Sequence, residues 1–255
     1  MSSNKLSVCK SEAGRFVNVD PSDHHGIRRA ERMGLVPSEK ADVVVSSRLL
    51  HAATLFDEQH KGRFFTILRH PIERAVSMFY YLQEATWERT YRPEYKGMTL
   101  LDYAALPDTS SNWMVRWLTG KNSDPYLGRE DLEFAKLLIL KKFLVLLTHD
   151  MKSSVKRLMY YMDWELEDRV LKETKDCITE NTRKAHNKGQ HGMPEKDSPE
   201  YKALAAMNEY DIELYEFVEK LYAEQAYIVN GNPKPTIDKL FIADDGKEAL
   251  EEKLL

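Results

Sequence analysis

The segment FFTILRHPIERAVSMFYYL, residues 64–82, holds residue types that could grip a phosphate. Arg69 closes a short apolar run that reads as a strand, and open α/β sheets place their ligands at the carboxyl ends of strands. Pro71 follows, suited to the first turn of a helix, where its missing N–H has no partner to lose. A helix N-terminus offers free N–H groups and the positive end of the dipole, which favour a phosphate. Arg69 can add a bidentate fork. Ser77 stands less than two turns into that helix and shares a face with Glu73, four residues earlier. A structural reading covers the same residues: Ile72, Ala75, Val76, Phe79 and Tyr80 form the apolar stripe of any core helix.

The elements that must position these residues can be read from periodicity. ADVVVSS (41–47), RFFTILRH (63–70) and KFLVLLTHD (142–150) are continuous apolar runs of buried-strand type. Helical patterns follow them at 48–55, 72–83 and 151–162, which points to parallel βαβ units covered on both faces. An earlier short helix at 27–34 closes on Gly34. Further helices are expected at 100–105, 111–118 and 132–141. Residues 181–199 read as a polar, basic loop, and Pro199 opens one long helix to about Gln225. The expected organisation is an N-terminal segment at 1–40, truncated or partly disordered, a domain at 41–229 and a charged tail at 230–255.

Composition narrows the function classes. With 255 residues, 42% hydrophobic and 31% charged, the chain has ordinary globular composition and enough length for a sizeable core. A net charge of −4 argues against a general nucleic-acid binder, so an anion site must be a local concentration of positive charge. Two cysteines, Cys9 and Cys177, make no disulfide framework and read as free thiols. No apolar run reaches the roughly 18–20 residues that span a bilayer, and the start has no stretch of signal-peptide type.

RHPIERAVSMFYYL resembles the 3′-phosphate-binding motif of Golgi-type carbohydrate sulfotransferases, with Arg69, Pro71, Arg74 and Ser77 in register and His70 where Asp is usual. FYYLQEATWERT, which follows, is similar to the same region of heparan sulfate 6-O-sulfotransferases. SNWMVRWLTG (111–120) resembles a later element of the superfamily through Asn112, Arg116 and Leu118. NEYDIELYEFVEKLYAEQ (208–225) resembles its closing helix through Asp211, Leu214 and Tyr215. The resemblance runs from about Ala41 to Gln225. It implies a three-layer α/β fold of the P-loop nucleoside-kinase-like type, with a mainly parallel sheet flanked by helices. It also implies transfer of a sulfuryl group from 3′-phosphoadenosine 5′-phosphosulfate (PAPS) to a hydroxyl of a carbohydrate acceptor, with Arg69 and Ser77 on the 3′-phosphate and no metal. The family is typically found in the Golgi lumen behind an N-terminal anchor, and none is visible here.

One family element has no match. The loop after the first strand, usually Pro-Lys-x-Gly-(Gly/Ser/Thr)-Thr, holds the 5′-phosphosulfate, and CKSEAGR (9–15) lacks both the preceding strand and the Gly-Thr pair. That stretch reads as a disordered or truncated N-terminus rather than a phosphate cradle. Two explanations fit: an incomplete chain missing its first strand and loop, or a degenerate domain that binds PAP or glycan without transfer. Other residues carry secondary expectations. Lys188 and Gly189, in the basic loop, are a distant analogue of the late loop that closes over the 3′-phosphate in cytosolic sulfotransferases, or simply a solvated loop. His51 is the candidate base by position and His149 another, each also explicable as a structural histidine. Arg116 either bonds within the protein or faces an anionic acceptor. His24-His25 and His186/His191 lack a third ligand at plausible spacing for a metal.

Overall fold

Five consecutive apolar residues, Phe143–Leu147, form a strand buried at every position. The computed structural model describes residues 5–11, 14–88, 90–106, 111–122, 124–162, 164 and 193–226. They divide into two compact units, Met1–Arg63 with Arg116–Leu127, and Phe64–Val115 with Gly128–Leu255. The architecture is mixed α/β.

In the first unit, β1 (Val8–Ser11) pairs antiparallel with β2 (Gly14–Val17). The described residues of the stretch read as a disordered or truncated N-terminus lie on these paired strands. Helix α1 (His24–Arg32) starts where the Asp23 carboxylate accepts from Gly26 N at 2.7 Å, and Gly34, at φ +66°, supplies the left-handed residue after it. Gly26 is required: a Cβ there would stand 1.5 Å from the Asp20 carbonyl oxygen. Helix α2 (Leu49–Ala53) is short. Leu6, Val17, Ile27, Ala30, Leu35, Ala52 and Leu55 share one core cluster, which runs across the boundary expected near residue 40.

The expected strand at 41–47 is not formed. Val44 packs on this cluster while Val45 is 77% exposed, and Ser46 Oγ donates to the Pro21 carbonyl and accepts from Arg48 N. β-branched side chains favour a pleated surface only where a neighbouring strand provides one, and here side-chain bonds hold the backbone instead.

In the second unit, β3 (Phe64–Leu68) pairs parallel with β4 (Phe143–Leu147), Phe64 opposite Phe143 and Leu68 opposite Leu147. The described residues therefore hold two two-stranded sheets, only one of them parallel, rather than one mainly parallel sheet. Helices α6 (Arg129–Lys142) and α7 (Met151–Tyr161) pack on β4. Side chains close the outer edge of β4: Gln225 accepts from Val145 N and donates to the Phe143 carbonyl, and Ser154 Oγ bonds both N–H and C=O of Leu147. This satisfies the buried backbone groups that a third strand would otherwise take.

Helix α3 (Pro71–Glu84) buries Ile72, Ala75, Val76, Phe79 and Leu82. Helix α4 (Leu100–Ala104) begins with a Thr99–Asp102 capping box, and α5 (Trp113–Thr119) follows. The single helix expected from Pro199 to Gln225 is two, α8 (Pro199–Met207) and α9 (Glu209–Glu224). The break is Asn208, wholly buried, whose side-chain amide donates to the Leu204 carbonyl at 2.8 Å and so competes with the backbone ladder.

Candidate functional site

β3 ends at Leu68, and Arg69 and His70 make the turn into α3. His70 caps the helix: its Nδ1 accepts from Ile72 N at 3.3 Å. Burial holds His70 below the ordinary histidine range, with Glu73, Glu219 and Glu216 opposing and Lys196 assisting. A neutral His70 that accepts at Nδ1 carries its proton on Nε2, leaving that nitrogen a donor.

The Arg69 guanidinium lies 3.3 Å from the Glu73 carboxylate, both side chains roughly one-third exposed. Glu73 and half-buried Ser77 stand one turn apart on α3, so Arg69 reaches the helix face that carries Ser77. In this arrangement Arg69 Nε is engaged by the Glu73 carboxylate, and Glu73 adds a negative charge to the same helix face.

Beside this turn, β4 delivers His149 from the carboxyl end of the neighbouring parallel strand. His149 Nδ1 is 3.1 Å from the Tyr215 hydroxyl on α9, and the His70 ring stands edge-on to the Tyr215 ring at 5.3 Å. Tyr215 is 2% exposed, and burial, with Glu219 and Glu73, pushes its phenol up to about 12. The phenol stays protonated at neutral pH and bridges two imidazoles at the ends of adjacent strands. When Nδ1 of His149 donates to the Tyr215 oxygen, Nε2 keeps its lone pair and can accept a proton.

Behind α3 the remaining motif residues meet. Arg74, partly buried, lies over the Trp113 ring at 5.1 Å, and its shielded Nε has no hydrogen-bond partner. Burial lowers its affinity for the proton and Asp211 opposes this, yet a guanidinium remains charged. The Asp211 carboxylate accepts from Met114 N and Val115 N, each at 2.9 Å, and so caps α5. Asn112 Oδ1 in turn accepts from Tyr210 N and Asp211 N and caps α9. Asn112 adopts φ +47°, which Asn tolerates better than most residues. Arg74, Asn112 and Asp211, drawn from three separated segments, are thus one structural knot rather than ligand contacts.

The other expected site residues lie in the first unit or outside the described residues. Arg116 donates to the carbonyls of Lys121 and Asp124 and ties down the turn after α5. His51, exposed on α2, stacks edge-to-face on His24 at 3.8 Å. Lys188 and Gly189 lie outside the described residues, as does Cys177; Cys9 is a free thiol. Among the described residues no trio of metal-ligating side chains occurs and no helix is long and apolar enough to cross a membrane. The Tyr215–His70 contact and the His24–His51 pair went unread in the sequence, because partners separated by 145 and 27 positions leave no local pattern.

No protein-family model matches this chain, and no curated protein or solved structure matches it.

Proposed function

We propose that this chain is a PAPS-dependent sulfotransferase-type domain, which holds the donor's 3′-phosphate at Arg69, Ser77 and the N-terminus of α3. Its acceptor would be a hydroxyl of a carbohydrate. The observation that supports this most is the strand–turn–helix itself: Arg69 at the end of β3, Pro71 at the first position of α3, and Ser77 on the face that Arg69 reaches. A guanidinium, a hydroxyl and a helix N-terminus are the group types that suit a phosphate dianion, and one turn of α3 separates Ser77 from Glu73, which Arg69 contacts. Proton acceptance from the acceptor hydroxyl is assigned to a histidine. His149 is favoured over His51 because it stands at the carboxyl end of β4, beside the strand that carries Arg69.

Isothermal calorimetry with PAP and with 5′-AMP tests the assignment. PAP should bind more tightly by about 10- to 100-fold, since a hydrogen bond to a charged group contributes roughly 1.5–3 kcal/mol. Arg69→Ala should abolish most of that preference. Equal affinity of the wild-type chain for the two nucleotides rules the site out.

A second reading is a PAP- or glycan-binding domain without transfer. It is favoured by the absence of any match to the 5′-phosphosulfate loop: in the described hairpin, Lys10 and Arg15 sit on paired antiparallel strands, not on a loop before a helix. A radiolabelled-PAPS assay separates the two. PAP binding with turnover depressed by 10²-fold or more, the usual scale for losing a preorganised donor, supports the second reading.

A further inference from the structure

The first unit contains a cavity of about 240 Å³ whose lining includes His24, Arg48, His51, Trp117, Asn122 and Asp124. Its size suits one sugar-sized group, below the range usual for larger organic ligands. Its lining is unusual in charge. Arg48 lies over the Trp117 ring at 5.7 Å, and its shielded Nε has no hydrogen-bond partner. Across from it stands the His24–His51 pair, edge-to-face at 3.8 Å. On the loop after α5, Asn122 Oδ1 is also shielded and without a partner. The cavity thus gathers one guanidinium, two imidazoles and the Asp124 carboxylate, which accepts from Tyr126 N, with an amide oxygen still lacking a donor.

We propose that this cavity binds a phosphate or sulfate ester of a sugar-sized polyol, its oxyanion against Arg48 and the histidine pair and a hydroxyl directed to Asn122. A tetrahedral oxyanion supplies the acceptors that a guanidinium fork and imidazole N–H groups require. A hydroxyl supplies the donor that an amide oxygen requires. Neither sulfate alone nor an uncharged sugar meets both needs. The site is independent of Arg69 and Ser77, which belong to the other unit.

The charged surroundings of His24 make binding pH-dependent. Burial, then His51, Arg48 and Arg28, hold His24 below the ordinary histidine range, and Asp23 opposes them. An anion in the cavity reverses the repulsion among these groups, so binding should raise the His24 midpoint, and affinity should rise as pH falls. A phosphate ester loses its own second charge near pH 6, whereas a sulfate ester stays monoanionic, so the sulfate ester isolates the protein's contribution.

The test uses the full chain with glucose 6-phosphate, glucose 6-sulfate, inorganic phosphate and glucose, followed by calorimetry and by the imidazole NMR signals. At least one ester should bind at least tenfold more tightly than both glucose and inorganic phosphate, and should move the His24 and His51 signals. The two esters compared with each other identify the preferred oxyanion. Arg48→Gln should weaken the ester about tenfold or more, on the scale of one charge-assisted hydrogen bond. Should Arg48→Gln fail to fold, His51→Asn, at an exposed position, is the second variant, expected to flatten the pH dependence of glucose 6-sulfate binding. The proposal is overturned when neither ester moves the two imidazole signals, when glucose binds as well as both esters, or when a folded Arg48→Gln binds unchanged.

Discussion

His70 shows how one residue can alter a site while preserving its frame. A carboxylate cap would place a negative charge at the start of α3; the neutral imidazole accepts the Ile72 N–H without one. The cap works only while Nδ1 is unprotonated. In the unfolded chain His70 titrates at the ordinary value of 6.5, and in the folded protein burial holds it lower. The folded state therefore binds the proton more weakly. This contribution to stability is present above about pH 6.5 and is lost as pH falls through the lower folded-state value. His70→Asn retains a good capping oxygen that does not titrate. Urea denaturation from pH 8 to pH 4.5 should show the two proteins within about 0.5 kcal/mol of each other at pH 8, with the wild type falling relative to the variant below pH 6.5. His70→Ala should cost about 1 kcal/mol at pH 8. Parallel curves for wild type and His70→Asn would mean that His70 makes no titrating cap. The places of Arg69, Pro71 and Ser77 at a strand end and in the following helix were legible in the sequence because their spacing is local. Tyr215, which bridges His70 and His149, was not, since only the packing of α9 against the strand ends brings it there.

Among the elements, the clamp between α5 and α9 is the least local feature and the most demanding of specific side chains. Each helix start is capped by a residue from the other segment, Asn112 for α9 and Asp211 for α5. Removing the buried Asp211 carboxylate leaves two helix N–H groups unpaired, so Asp211→Ala should cost about 2–5 kcal/mol. Asn112→Ala loses a cap and forces a left-handed backbone on Ala, for about 1–3 kcal/mol. Both changes break the same pair of helix starts, so the double variant should cost less than the two singles together, with a coupling of about 0.5–3 kcal/mol by denaturant titration. Additivity within 0.5 kcal/mol would show two independent caps. The clamp also explains what periodicity could and could not reveal. The apolar stripes of α3, α6, α7 and β4 were readable because burial repeats at 3.6 residues or runs without interruption. The division of 199–225 into two helices was not, because Asn208 breaks the ladder through a side-chain bond rather than through Gly or Pro. The strand expected at 41–47 failed for the complementary reason: its composition favours a sheet, and the pairing that would make it one depends on a neighbour that sequence does not specify.

At the scale of the whole molecule, the two proposed ligand sites fall in different compact units, each with its own buried cluster. The first unit is centred on Ile27, Ala30, Leu35 and Ala52. The second is built on β4, with Ile72, Val76 and Leu204 in a further cluster. A ligand that binds only the folded form of one unit lowers the population of that unit's open states by RT ln(1 + [L]/Kd), about 2.7 kcal/mol at a hundredfold excess over Kd, and so slows exchange through those openings about 100-fold. Hydrogen exchange read by mass spectrometry resolves this by segment. PAP should slow exchange across residues 64–84 and 143–147 and leave 24–32 and 49–53 unchanged. The favoured glucose ester should do the reverse. Each departure has its own meaning. Slowing of both sets by either ligand would show that the units open together as one cooperative body. Slowing of 24–53 alone by PAP would place the nucleotide against Arg48 and the histidine pair, and would remove Arg69 and Ser77 as its binding site. Slowing of 64–84 by the ester alone would move the oxyanion to the start of α3 and leave the cavity of the first unit without a ligand.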